Sequence, residues 1–251
     1  MSSQGKYIYG ILEEAEQKRF SLQGIGDEEV YTINCKELAA IVSDIDLSEI
    51  DPTRRNVRAH TVVQDELLKE HTVLPMSFGV IASREAEVLL FLEKNYDAFV
   101  KEFKRLSGKV EVELKVYWDQ EAMMKELQGR NQELSKLKER ISTASSPIVE
   151  QNLLIEAGKL VEQMAQEWQA KYAQGAFDIL RRIADDARLN NPVGVKNILN
   201  ASFLIDRSKE EEFQAEVYKL DAKYQDRVDF KYVGPLPPYN FVSLNLEPVR
   251  C

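Results

Sequence analysis

Residues 110–118 read VEVELKVYW, with valines and Leu114 set alternately against Glu111, Glu113 and Lys115. Period-two alternation is the pattern of a β-strand packed on one face and wet on the other. A helical pattern ends just upstream at Gly108, so a second structural unit begins with this strand. Beyond it the sequence predicts a long helical region within 119–188, a strand over 197–205, and a helix opened by the capping box Ser208 to Glu211. Strands over 228–233 and 241–246 complete the order β-α-β-α-β-β. Two helices on one face of a four-stranded, largely antiparallel sheet is ferredoxin-like packing, whose strict order is β-α-β-β-α-β. The expectation is therefore an α+β chain of two domains. An N-terminal domain of mixed strands and helices spans 1–108, and a modified ferredoxin-like domain with a helical extension spans 109–251.

Within the helical region, Met124, Leu127, Asn131, Leu134 and Ile141 are spaced like a heptad seam, and residues 119–140 carry five acids and five bases. That combination suits a solvated helix with one apolar stripe. STASSP at 142–147 is a loop ending in a cap-plus-proline helix start, after which Leu153, Ala157, Leu160, Met164, Trp168 and Tyr172 form a second stripe. Helix, short loop and helix predict a hairpin, which Gly175 is expected to kink or divide before the turn at 190–192. Upstream, strands are predicted over 6–12, 30–35 and 38–45, and a helix from Asp51-Pro52 to about His71. TVLPMSFGVIAS at 72–83 is too short and too broken for a long helix, and is expected to be a buried strand or strand-loop. A helix capped by Ser83 follows, with Val88, Leu89, Leu92, Tyr96, Phe99 and Phe103 on its buried face.

With 251 residues, 44% hydrophobic and 30% charged, the chain is a folded protein with ample core. Its net charge of −9 is uneven, since residues 1–51 hold 4 basic and 11 acidic groups, and a nucleic-acid backbone would be repelled there. The longest uncharged stretch, Tyr232 to Leu246, carries three prolines and falls short of the roughly 20 apolar residues of a membrane span. MSSQGKYIYGIL meets Glu13 and Glu14 before a signal-peptide core could form. Cys35 and Cys251 are expected to be reduced thiols of a cytoplasmic protein, Cys35 as a small core residue.

Reactive groups are few. His60 and His71 lie eleven positions apart, about 16 Å along a helix, which is too far to share a metal. Gly24 and Gly26 belong to an acidic turn rather than a phosphate loop, and Arg54, Arg55 and Arg58 to a solvated helix face. No catalytic, cofactor-binding or metal-ligating residue is expected, and the chain is not expected to be an enzyme. What stands out is apolar chain rich in proline and glycine, VLPMSFG at 73–79 and VGPLPPYNFV at 233–242. Three prolines fix an extended path with few free donors, so that Leu236, Tyr239 and Phe241 must be either packed within the chain or presented to a partner.

Together with the opening strand KYIYGIL, these two segments resemble the gas vesicle protein F and L family over nearly the whole chain. One departure is Leu236, where the family has tryptophan in Gly-Pro-Trp-Pro-Pro-Tyr. The resemblance implies a two-domain α+β accessory protein and minor component of gas vesicles, the hollow protein organelles that give aquatic microbes buoyancy. It implies the small, very hydrophobic major shell protein as partner, with other vesicle accessory proteins as further partners, and a cytoplasmic existence before assembly. On this expectation Pro75 and Phe78 in the first motif, and Leu236, Pro237, Pro238 and Tyr239 in the second, make the partner contact. Two alternatives stay open: a helical-hairpin scaffold that binds a partner helix along its seams, and a ferredoxin-like regulatory protein for small ligands.

Overall fold

A computed structural model of the chain describes residues 4–46, 50–128, 132–244 and 246. Two compact units emerge, Met1–Glu111 with Gly234–Cys251, and Val112–Val233. The tail from Gly234 thus groups with the opening half, not with the C-terminal domain of 109–251 to which the sequence assigned it.

The first unit is built on β1 (Gln4–Glu13), β2 (Arg19–Gln23), β3 (Glu29–Cys35) and β4 (Leu38–Asp46). After α1 (Arg54–Leu68) come two short strands, β5 (Leu74–Pro75) and β6 (Ile81–Ala82), then α2 (Glu85–Lys94) and α3 (Tyr96–Leu106). The sheet order is β2-β3-β4-β1-β5, with β6 also on β1. β1 is the centre: it pairs antiparallel with β4 along its whole length and receives Leu74–Pro75 and Ile81–Ala82 on its other edge. Proline is tolerated there because an outermost strand need not donate on its open side. Tyr7, Ile8, Tyr9, Ile11 and Leu12 are all buried, so β1 is covered on both faces. Cys35 is buried as expected. Gly10 is required by close approach, since a Cβ there would lie 2.8 Å from the Leu74 carbonyl oxygen.

Local signals explain most boundaries and the misplaced ones. α1 is capped by Thr53, whose hydroxyl accepts from Asn56 N at 3.2 Å, two residues beyond the expected Asp51 start. The single helix expected over 84–107 is broken at Asn95, a buried residue whose Nδ2 turns back to the Phe91 carbonyl at 2.9 Å.

The second unit opens with β7 (Lys109–Trp118), which carries the chain out of the first unit. α4 (Gln120–Gln128), α5 (Gln132–Ser142) and α6 (Pro147–Leu180) follow, then β8 (Asp186–Asn190), β9 (Asn197–Asp206), α7 (Glu210–Tyr224) and β10 (Val228–Leu236). Taking the three helices α4–α6 as one crossover, the order is β-α-β-β-α-β, and the sheet order is β10-β7-β9-β8. This is the regular ferredoxin-like order rather than the modified one. Two segments account for the difference from the expected order. β8 was hidden at a sheet edge, where DARLN offers only Ala187 and Leu189 as apolar residues, yet it pairs antiparallel with β9 from Asp186↔Leu204 to Asn190↔Asn200. The expected strand over 241–246 is absent among the described residues, and Phe241 sits in a turn.

Both helices lie on the Phe203 face: Phe203 is 5.7 Å from Phe177 of α6 and 5.2 Å from Phe213 of α7, ring to ring. α6 begins with the expected Ser146 cap and Pro147 but runs unbroken through Gly175. That glycine serves contact instead of flexibility, since a Cβ would meet the Tyr224 hydroxyl at 3.0 Å. Asn131 of the expected seam falls in 129–131, outside the described residues, as does Cys251. No helix among the described residues is long and apolar enough to cross a membrane.

Candidate partner-binding face

The buried stripe of α1 is His60, Val63, Gln64, Leu67 and Leu68, at i, i+3, i+4, i+7 and i+8. Two of its five members are polar, and a polar group on an apolar stripe must find partners or lose stability. Both find them in the first motif. Gly79 N donates to the Tyr7 hydroxyl at 3.0 Å, and that hydroxyl lies 2.9 Å from His60 Nδ1. The phenol oxygen thus bridges the Gly79 N–H and the His60 imidazole. Burial lowers the His60 pKa, and a hydrogen bond to the Met76 backbone only partly offsets this. Burial also pushes the Tyr7 phenol up to about 12. The Phe78 ring packs edge-on against Tyr7 and His60, with centroids 6.0 and 5.8 Å away.

Gln64, one turn along α1, spans both motifs. Its Nε2 donates to the Tyr9 carbonyl at 2.6 Å and the Met76 carbonyl at 3.1 Å, while its Oε1 accepts from the Tyr239 hydroxyl. Residues 76 and 239, far apart in sequence, are thereby fastened to one side chain.

The second motif is a strand end followed by a tight turn. β10 continues through a cis Gly234-Pro235 bond to Leu236, and then Tyr239 N donates to the Pro237 carbonyl at 2.7 Å and Phe241 N to the Pro238 carbonyl at 3.0 Å. Carboxylates from the first unit hold the turn. Glu111 accepts from Asn240 N at 2.8 Å and from its Nδ2 at 2.5 Å, which is why this member of the expected wet face of VEVELKVYW is fully buried. Glu102 accepts from Ser243 N at 2.7 Å and from Arg105, which in turn donates to the Phe241 carbonyl. Phe241 is completely buried.

The six expected contact residues thus divide. Tyr239 keeps 42% of its surface exposed even though its hydroxyl is engaged. Pro75, Phe78 and Leu236 are half-buried, whereas Pro237 and Pro238 are buried and form the base of the turn. Burial raises the Tyr239 phenol, with Asp65 and Glu111 adding to the shift. Sequence reading missed His60 and Gln64, whose signal was their i, i+4 spacing among Val63, Leu67 and Leu68. His60 finds its side-chain partner, Tyr7, 53 residues away in sequence. Of the arginine cluster, Arg55 pairs with Asp27 at 2.5 Å on the surface.

A family model described as gas vesicle synthesis protein GvpL/GvpF matches residues 5–243, a span that includes both motifs. Gas vesicle protein F of a Streptomyces species is 32% identical over 240 residues, covering 94% of this chain and 99% of its own. That of a Nostoc species is 27% identical over 246 residues, covering 97% and 100%. The crystal structure of GvpF from an Anabaena species superposes with a TM-score of 0.83 at 26% identity, covering 97% of this chain and all of that one. GvpF from Microcystis aeruginosa gives 0.77 at 25% identity, covering 96% and 99%. Matched along both units and at the level of sequence and fold alike, this chain belongs to the gas vesicle GvpL/GvpF family.

Proposed function

We propose that this chain is a non-enzymatic accessory protein of gas vesicles that binds the small hydrophobic shell protein, limits its aggregation and assists nucleation of the vesicle. Its relatives are named for gas vesicles and not for a reaction, which supports an accessory role. The observation that carries the binding function is the convergence of the two proline-rich motifs on Gln64, with the Tyr239 ring left partly exposed. Pro75, Phe78, Leu236 and Tyr239 supply the apolar contact, and Pro237 and Pro238 hold it in shape. Apolar burial at about 25 cal/mol per Å² provides the attraction without nucleotide or metal. The chain's net charge of −9 keeps a complex with an apolar partner dispersed. On this function the protein meets its partner in the cytoplasm and ends in the vesicle, where other accessory proteins are further partners. The test is co-expression with the major shell protein, scoring both its capture and its solubility. Capture with raised solubility is the expected result, and a shell protein neither captured nor kept soluble refutes the proposal.

A further inference from the structure

Strand β8 (Asp186–Asn190) is the outermost strand of the second unit's sheet, with β9 on one side and no strand on the other among the described residues. Alternate amides of such a strand turn outward. Ala187 carries one of them, since its N donates to the neighbouring Asp186 Oδ1 at 2.8 Å. An open edge invites a further strand, and proteins commonly blunt it with proline or with charge. β8 holds no proline, and its two charged residues, Asp186 and Arg188, are opposite in sign and two positions apart. Leu189 beside them is 60% exposed, and Val195 in the loop that follows is 91% exposed.

A strand that pairs antiparallel with its own copy across a two-fold axis must centre the pairing on one residue, because directly opposed side chains share a face of the sheet. Charge chooses that residue. Centred on Asp186 or on Arg188, the strand sets like charges against each other. Centred on Leu189, it sets Asp186 against Pro192, which has no amide to donate. Centred on Ala187, it sets Asp186 opposite the partner's Arg188 twice over, and the outward Ala187 amide meets its own copy across the axis. The other face of the same register is apolar, since Leu189 lies diagonal to the partner's Ala187, within side-chain reach. The sheet's other outermost strand, β10, also places Asp229 two positions from Lys231, but its Phe230 stacks on Tyr224 within the chain and its end runs into Gly234-Pro235.

We propose that the β8 edge is a self-association surface: two copies of this chain join β8 to β8 in antiparallel register about Ala187, with two Asp186–Arg188 pairs on one face. Backbone hydrogen bonds and the apolar face supply the attraction, while the ion pairs, exposed and weak by themselves, fix the register. A contact this short buries little surface, so the dimer is a weak one that forms as concentration rises. The inference does not rest on the shell-binding function but joins to it, because two copies offer two partner-binding faces and engage two shell subunits at once.

Sedimentation equilibrium of the full chain from about 5 to about 500 µM is expected to show a reversible monomer–dimer equilibrium. Asp186→Arg and Arg188→Asp, each made alone, set like charges opposite one another and should weaken dimerisation at least about tenfold. An equimolar mixture of the two variants should recover it, because one chain then offers two arginines to the two aspartates of the other. The chain carrying both substitutions should recover it as well, and either recovery shows that the single variants are folded. A parent chain that stays monomeric throughout, single variants that dimerise like the parent, or a mixture no stronger than its components overturns the proposal. Dimerisation lost in Lys231→Asp and kept in Asp186→Arg places the contact on β10 and overturns it equally.

Discussion

Gln64 makes full use of its amide: both N–H groups meet backbone carbonyls and the oxygen takes the Tyr239 proton. Gln64→Leu would keep the volume and strand these partners, each buried group left unpaired costing about 1–3 kcal/mol. Urea titration should therefore show a loss of at least about 2 kcal/mol, with the first motif loosened from β1. Its neighbour on the stripe carries a pH dependence. The folded His60 has a lowered pKa, so the unfolded chain takes up a proton first as acidity rises. Stability from this residue is complete above the ordinary histidine value of 6.5 and falls as the pH drops below it. Thermal melts between about pH 7 and about pH 5 should record this decline, and His60→Gln should flatten it. An unchanged slope in that variant would mean that His60 titrates alike in the folded and unfolded chain and does not carry the pH dependence.

The tail from Pro237 to Ser243 is an irregular element held by burial and by carboxylates in place of a ladder. Phe241, completely buried, is the main apolar anchor, and truncation to alanine is expected to cost about 3–5 kcal/mol. Burial alone would raise the Glu102 carboxyl, but Arg105 and the Ser243 N–H outweigh it and hold the pKa below the usual range. The stabilisation is thus present above the ordinary carboxylate value and is lost as the pH falls through the lowered one. Hydrogen-exchange protection at residues 241–243, taken relative to the intrinsic rate at each pH, should accordingly fall in acid, and in Glu102→Gln at neutral pH. A tail that stays equally protected in both cases would show that Glu102 does not hold it. Strand and helix periodicity made β1, β3, β4, β7, β9 and most helices legible in the sequence. This tail was misread as a strand because Phe241, Val242 and Leu244 look like strand residues, while what fixes them, Glu102, Arg105 and Glu111, comes from more than a hundred residues away. β8 was missed for the opposite reason: an edge strand needs little apolar content of its own. The α5–α6 pair was legible as a hairpin, and Leu134, Leu137 and Leu153 are buried in it, so those parts of the seams are occupied by the chain itself.

Across the whole molecule, a chain that leaves its first unit along β7 and returns along β10 brings its two unusual motifs into the same unit. That closure could not be read from local pattern, because the sequence placed the second motif with the downstream domain. The candidate site was therefore legible as two apolar segments but not as one framework, and the polar residues that join them were invisible until the fold was known. Exposed aliphatic residues also occur elsewhere, including Ile148 and Ile155 at 73% and 52% exposure on α6, so apolar surface alone does not locate the binding face. The decisive measurement is a paired co-expression pull-down of the major shell protein, using Leu236→Asp with Tyr239→Ala in one chain and Ile148→Asp with Ile155→Asp in another, both checked for folding by circular dichroism. Loss of capture in the first and retention in the second is the expected result. Retention in the first with loss in the second would move the binding site to the helical hairpin and contradict the role given to the two motifs.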